Sequence, residues 1–306
     1  MTISTAFLFQ RSVSQMGDLQ TRIADAQNQL ASGKQVTKPS DQPDQAASIQ
    51  RLQSAIARQD SYLKTINTVN DRLAAEEPVV QNSSNAMTRI KELMVQAAND
   101  TLNAKDRGAI AIELQGLRDD LLSAANTRDL NGNYLFSGTR VGNTAFGKSS
   151  VEGAGYVGDT SVNYVDIGDQ RTIQLNQLGS SIFKGVTRAT PDGAKQVGFF
   201  QALDDAIGAV KNSDRHGMEN SLNEVSVLSD GLSQALAQIG SDMNVLDAQK
   251  TSIETAQIQL KTTLSNTQDV DYATAISKLK QDMMGLEAAQ SSFAQTSGLN
   301  LFNFIK

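Results

Sequence analysis

Apolar residues recur at alternating spacings of three and four near both ends of this chain. No other feature constrains its fold as much. Toward the amino end the series runs Met16, Leu19, Ile23, Ala26, Leu30; toward the carboxyl end it runs Ile276, Leu279, Met283, Leu286, with Phe293 seven residues further on. Such spacing lines up side chains on one narrow face of a helix. A narrow seam is buried best by another helix, so each end needs a partner in the same chain or in a neighbouring subunit. The composition agrees. Aromatic residues make up only 5% of 306 residues and tryptophan is absent, a poor supply of the large side chains that build a thick core.

Gly33 follows the first stripe and suits a left-handed helix end. A corner rich in polar residues and proline comes next, KPSDQPD from Lys38 to Asp44. A second stripe runs Ile49, Leu52, Ile56, Leu63, Ile66, Leu73 and meets Pro78, which either opens a new helix or kinks a continuous one. The stripe resumes through Ala86, Ile90, Leu93 and Ala97, and after a polar connection over 99–106 another helix carries Ile110, Leu114, Leu117, Leu121 and Ala124. From Asn131 to about Gln196 glycine and β-branched residues replace helical periodicity. Tyr134–Phe136, Ser161–Val165 and Arg171–Leu175 are predicted strands, with turns at Asn131-Gly132, Gly158-Asp159 and Gly168-Asp169. Helix returns at Phe200, Leu203, Ile207 and Val210. A stripe from Leu222 to Leu264 then implies about fifty helical residues, roughly 75 Å at 1.5 Å each. Asp269 or Asp271 is placed to cap a last helix, and Gly298 to end it.

The expected fold is therefore mainly α: an elongated helical coiled-coil bundle formed by the N- and C-terminal segments, with a small β-rich inserted domain. The segments divide as terminal coiled-coil helices (1–40 and 266–306), a helical rod (41–130 and 197–265) and a β-rich insertion (131–196).

Chemistry finds little support. Without cysteine there is no thiolate nucleophile, thiolate metal site or disulfide framework. His216 stands alone in NSDRHGME, where a solvated helix-start position is the simpler reading than a general base. Gly153-Ala-Gly155-Tyr-Val-Gly158 matches GxGxxG in letters, but a turn and strand follow it where a dinucleotide site needs a helix, so the glycines are assigned to β turns. The pairs Glu76-Glu77, Asp119-Asp120 and Asp204-Asp205 point about 100° apart on a helix and read as solvated faces. No cofactor, metal site or catalytic residue is expected. The net charge of −6 without a basic stripe excludes a nucleic-acid partner. No run is long enough to insert in a membrane, and MTISTAFLFQR lacks the regions of a cleaved signal peptide.

Three segments resemble the flagellin-like axial proteins of the bacterial flagellum: LASGKQVTKPSDQPDQAASI, the long run from RIKELMVQ to NGNYLFSGT, and DVDYATAISKLKQDMMGLEAAQSSFAQTSGLNLFNFI. The proline-bearing corner, NGNYLFSGT and the LNLFNFI ending look more like the family's junction members than like filament-forming flagellin, which is the alternative. The resemblance implies a structural adaptor, not an enzyme. It would form a ring layer with copies of itself, between a hook-associated junction protein and the flagellin filament. It implies secretion to the flagellum by the type III route without a cleaved signal, with an export chaperone shielding the C-terminal segment. It also implies an outward-facing insertion, and terminal helices that line an inner tube. Leu19, Ile23, Leu30, Ile276, Leu279, Met283, Leu286, Phe293, Leu299, Leu301 and Phe302 are the expected subunit or chaperone contacts.

The corner is expected to set an angle. Gly33 ends the first helix and Lys34 complements its negative end. Pro39 keeps the linker extended, Ser40 or Asp41 caps the next helix, and Pro43 starts it.

Overall fold

In the computed structural model, which describes residues 5–40, 42–148, 154–190 and 193–298, the order is α1 (Thr5–Ser32), α2 (Pro43–Ala97), α3 (Ala104–Ala125), β1 (Phe146–Lys148), β2 (Ala154–Tyr156), β3 (Tyr164–Gly168), β4 (Arg171–Gln174), α4 (Gly179–Ile182), β5 (Val186–Thr190), β6 (Gly193–Val197), α5 (Phe199–Lys211), α6 (Arg215–Gln268) and α7 (Tyr272–Gly298). The chain is mainly α, as its periodicity predicts. It divides into two compact units, Met1–Gln59 with Glu254–Lys306, and Asp60–Ile253.

In the unit of residues 60–253, α2 buries Ile66, Val69, Leu73, Glu76, Val80, Ser83, Met87, Ile90, Met94 and Ala97. These positions alternate by three and four without a break, so one face of the helix lies inward along its length. Pro78 lies inside α2 and does not end it. Its position on the exposed side explains this, because the carbonyl freed by the missing N–H can bond water. α6 supplies a matching face with Met218, Ser221, Val225, Leu228, Leu232, Ile239, Leu246 and Ile253 buried, while α3 packs on α5. Asn103 caps α3 by accepting the Asp106 N–H at 2.9 Å.

The predicted insertion forms three separate antiparallel hairpins, β1–β2, β3–β4 and β5–β6. Arg171–Gln174 is a strand as expected, and Gly168-Asp169 leads into the turn of its hairpin. The predicted strand at Ser161 begins only at Tyr164. Tyr134–Phe136 is not a strand at all. Leu135 and Phe136 are buried, but the segment is fixed by single bonds, Tyr134 N–H to the Val141 carbonyl (2.8 Å) and Leu135 N–H to the Thr127 carbonyl (3.0 Å), not by a ladder. Burial produced the apolar signal here with only the single Arg128–Tyr134 bridge as pairing. The assignment of these glycines to β turns needs correction: Gly155 lies within β2, paired with Gly147, and only Gly158 lies in the bend after the strand; Gly153 is outside the described residues.

Aromatic side chains are scarce but gathered. Phe136, Phe146, Tyr156, Phe183, Phe199 and Phe200 form one cluster, with Phe183 touching Phe136, Phe146, Phe199 and Phe200 at centroid distances of 5.9, 5.6, 5.3 and 6.1 Å. Mostly edge-on packing of this kind holds the hairpins against α5. Arg118 covers the Phe200 ring at 5.5 Å and donates to Asp204 at 3.0 Å. From β5, Arg188 reaches Asp205 at 2.8 Å and Glu224 at 2.6 Å.

Of the three acid pairs read as solvated faces, Glu76-Glu77 and Asp204-Asp205 need correction. Glu77 is exposed, but Glu76 occupies a position of the buried stripe and is 0% exposed. Arg72 lies one turn away, donating to Glu76 Oε1 at 3.0 Å and to the Leu135 carbonyl at 2.7 Å. Burial pushes the Glu76 carboxyl up to about 7, against the opposing pull of Arg72 and the Gln177 backbone amide. Asp204 and Asp205 are paired with arginines and half-buried, not freely solvated.

Candidate assembly surface

The unit formed by residues 1–59 and 254–306 brings the two ends together. Phe9 meets Phe293 at 4.4 Å between centroids, Leu19 lies against Gly285, and Arg22 Nη2 bonds Asp282 Oδ1 at 2.5 Å. Partner numbers fall along α7 as they rise along α1, so the helices are antiparallel. Their seam is made of Leu19, Ile23, Ala26 and Leu30 from α1, and Ala275, Leu279, Leu286 and Phe293 from α7. Ala26 and Ala275 are buried and the others half-buried. Alanine and glycine bring the helices close but bury little area per turn.

Past Gly33 the pairing continues through backbone. The Gln35 N–H bonds the Gln268 carbonyl at 2.7 Å and the Val270 N–H bonds the Gly33 carbonyl at 3.0 Å, with Lys34 bridged to Asp269. The corner is therefore tied to the α6–α7 connection as well as being a bend. Gly33 has φ +69°, the left-handed end that the sequence predicts. Pro39 and Ser40 lie in a turn, and Pro43 is the first residue of α2 with Asp44 in its first turn. The Ala46 N–H bonds the Gln42 carbonyl at 2.9 Å, so Gln42 holds the capping position and Ser40 precedes it by two residues; Asp41 lies outside the described residues. Asp271 caps α7: it accepts the Ala273 N–H at 3.0 Å and the Thr274 hydroxyl at 2.7 Å, and the bonds from Thr274 and Ala273 hold its carboxyl below the usual range.

What the pairing leaves open is also apolar. Phe7 (62% exposed) and Val13 on α1, and Tyr272, Ile276, Met283 and Met284 (61%) on α7, remain largely exposed. Ile23, Met283, Met284 and Leu286 line an open groove of about 580 Å³ together with Lys280 and Glu287. The expected contact residues thus separate. Leu19, Ile23, Leu30, Leu279, Leu286 and Phe293 take part in the α1–α7 seam, whereas Ile276 and Met283 stay exposed, Met283 in the groove beside Ile23. Leu299, Leu301 and Phe302 are outside the described residues. Reading only apolar positions missed Arg22 and Asp282.

No catalytic grouping stands beside this surface among the described residues. The His216 side chain is almost fully exposed, with Glu219 at 3.9 Å. No cluster of three metal-ligating side chains occurs among the described residues, and no helix there is long and apolar enough to cross a membrane.

Comparison with known proteins agrees with this architecture of paired terminal helices. The bacterial flagellin N-terminal helical region matches residues 3–141, and the bacterial flagellin C-terminal helical region matches residues 222–305. The chain belongs to the flagellin-like family of flagellar axial proteins. Within that family the whole-length likeness is to flagellar hook-associated protein 3. It is 29% identical to that protein of Escherichia coli over 100% of both chains, and 29% identical to that of Salmonella typhimurium over 99% of both. Polar flagellin F of Vibrio parahaemolyticus is a more distant relative, 27% identical over 64% of this chain and 49% of its own. A hook-associated protein structure from Vibrio parahaemolyticus shares the fold with TM-score 0.63 at 22% identity, covering 75% of this chain and 100% of its own. The FlgL crystal structure from Xanthomonas campestris gives 0.59 at 23%, covering 71% and 99%.

Proposed function

We propose that this chain is a structural adaptor of the bacterial flagellum, forming a junction layer between hook-associated protein and the flagellin filament. The observation that carries the reading is the apolar surface left on α1 and α7 after they pair, with Phe7, Val13, Ile276, Met283 and Met284 exposed. Large apolar side chains left exposed along a helix pair are covered when subunits pack side by side. Copies of the chain form the ring through these helices, with the hook-associated partner on one side and flagellin on the other. The hairpin-bearing insertion faces outward. The chain leaves the cell through the flagellar export route without a cleaved signal peptide, and a chaperone covers the C-terminal segment before export. The tied corner at Gly33, Lys34, Pro39, Ser40, Asp41 and Pro43 sets the angle at which subunits stack.

Deletion of residues 1–30 or 277–306 should leave a soluble subunit that neither binds hook tips in electron micrographs nor restores motility to a strain lacking the full chain. Filament growth on truncated protein overturns the reading. Long homopolymers from seeded polymerisation of the intact chain would instead support a filament subunit.

A further inference from the structure

We propose that Arg22 and Asp282 set the register of α1 against α7, acting as positioning residues for the pairing of the chain's two ends. The inference does not depend on the junction role. The positions of α7 turned toward α1 are Ala275, Leu279, Asp282, Leu286, Ala289 and Phe293, alternating by four and three. Asp282 is the one charged member of that series, and its side chain is only 9% exposed. Oδ1 meets Arg22 at 2.5 Å, while Oδ2 is buried with no hydrogen-bond partner among the described residues. A carboxylate in this position contributes little to stability compared with leucine, but makes the seam depend strongly on where its cation lies.

The surrounding residues specify little by themselves. Positions seven residues apart carry apolar side chains on both helices, as at Ile23 and Leu30 or Leu279 and Leu286, so a slip of one heptad still sets apolar residues against apolar residues. The charges do not tolerate it. A shift of seven residues places Gln15 or Gln29 opposite Asp282, and Ala275 or Ala289 opposite Arg22. A shift of one turn brings Asp18 or Asp25 toward Asp282, a like charge in place of a cation. Arg22 is the only cation at its heptad position within α1, where residues 8, 15 and 29 are Leu, Gln and Gln. One arrangement satisfies the buried carboxylate, and the neighbouring ones leave it unpaired or repelled. A single polar residue in a helical seam selects alignment in this way at some expense of stability.

The cysteine-free chain allows a direct test. Nitroxide labels on cysteines introduced at the exposed Gln20 and Glu287 report the α1–α7 separation in the full-length protein by pulsed electron resonance. The parent should give one narrow distance. Asp282→Leu, which completes the apolar series, should keep helix content by circular dichroism. It should also broaden the distribution or add a second population, from helices slipped along their axis by seven residues, about 10 Å of rise. The exchange Arg22→Asp with Asp282→Arg should restore the single distance. A merely stabilising contact would change helix content or melting without moving the distance. The proposal is overturned if Asp282→Leu keeps the parent's single distance, if the charge exchange fails to restore it while helicity is intact, or if the parent itself gives a broad distribution.

Discussion

Glu76→Gln keeps the shape of a fully buried side chain and removes its charge, so it isolates what ionisation at that position does to the fold. The Glu76 carboxyl moves from 4.5 to about 7 on folding because burial outweighs Arg72 at 3.0 Å. At about 1.4 kcal/mol per pKa unit, this shift corresponds to roughly 3 kcal/mol. The folded state holds the proton more tightly than the unfolded one. Stability from this group is therefore fully present below pH 4.5 and is lost as pH rises through about 7. Glutamine has no proton to lose. Its neutral amide gives Arg72 a weaker acceptor, at a cost of about 1 kcal/mol. The variant should thus be about 2 kcal/mol more stable than the parent at pH 8 and no more stable at pH 5. Urea unfolding followed by far-ultraviolet circular dichroism between pH 5 and 9 measures both curves. Parallel curves across that range, or a variant less stable than the parent at pH 8, would show that the Arg72 pair and not burial governs this carboxylate.

Substitutions at two further positions probe the separate units. Phe183→Ala removes the ring that touches four other aromatic side chains and should lower unfolding stability by about 3–5 kcal/mol, read from the denaturation midpoint. A loss under 1 kcal/mol would mean the hairpins are not held by this cluster. Gly33→Ala forces an L side chain into φ +69° with its Cβ 3.0 Å from the Tyr272 hydroxyl, and should cost about 1–2 kcal/mol. Gly33→Asn should cost less, and thermal melts of the two side by side would refute the cap if they were equal.

Helices were legible from spacing because a 3–4 apolar series has few structural meanings. The end of α1 at Gly33, the span of α6 and the cap at Asp271 all follow from local residues. Pro78 could not be decided locally, since continuity depended on its facing solvent. The strands were harder to read. β1, β2, β5 and β6 are three to five residues long, too short for alternation to register, and the apolar run Tyr134–Phe136 owes its burial to the Phe cluster and to Thr127 and Val141. The consequential misses were polar residues inside apolar series. Glu76 falls between Leu73 and Val80 on the buried face of α2, and Asp282 between Leu279 and Leu286 on α7. Extending each series through every three- and four-residue step would have marked both as buried, leaving only their partners, Arg72 and Arg22, to be found in space.

The Arg22–Asp282 contact joins residues 260 apart in sequence. Closing so long a loop costs about 3 kcal/mol more chain entropy than closing one of ten residues. This cost falls on a seam that buries little. α1 therefore waits for its match, because α7 exists only after the residues between them, 33–271, have been made. Until then the apolar face of α1, a helix of 28 residues, has no partner helix to cover it. Timing is thus built into the sequence order: whatever controls the release of α7 also controls when the two helices close.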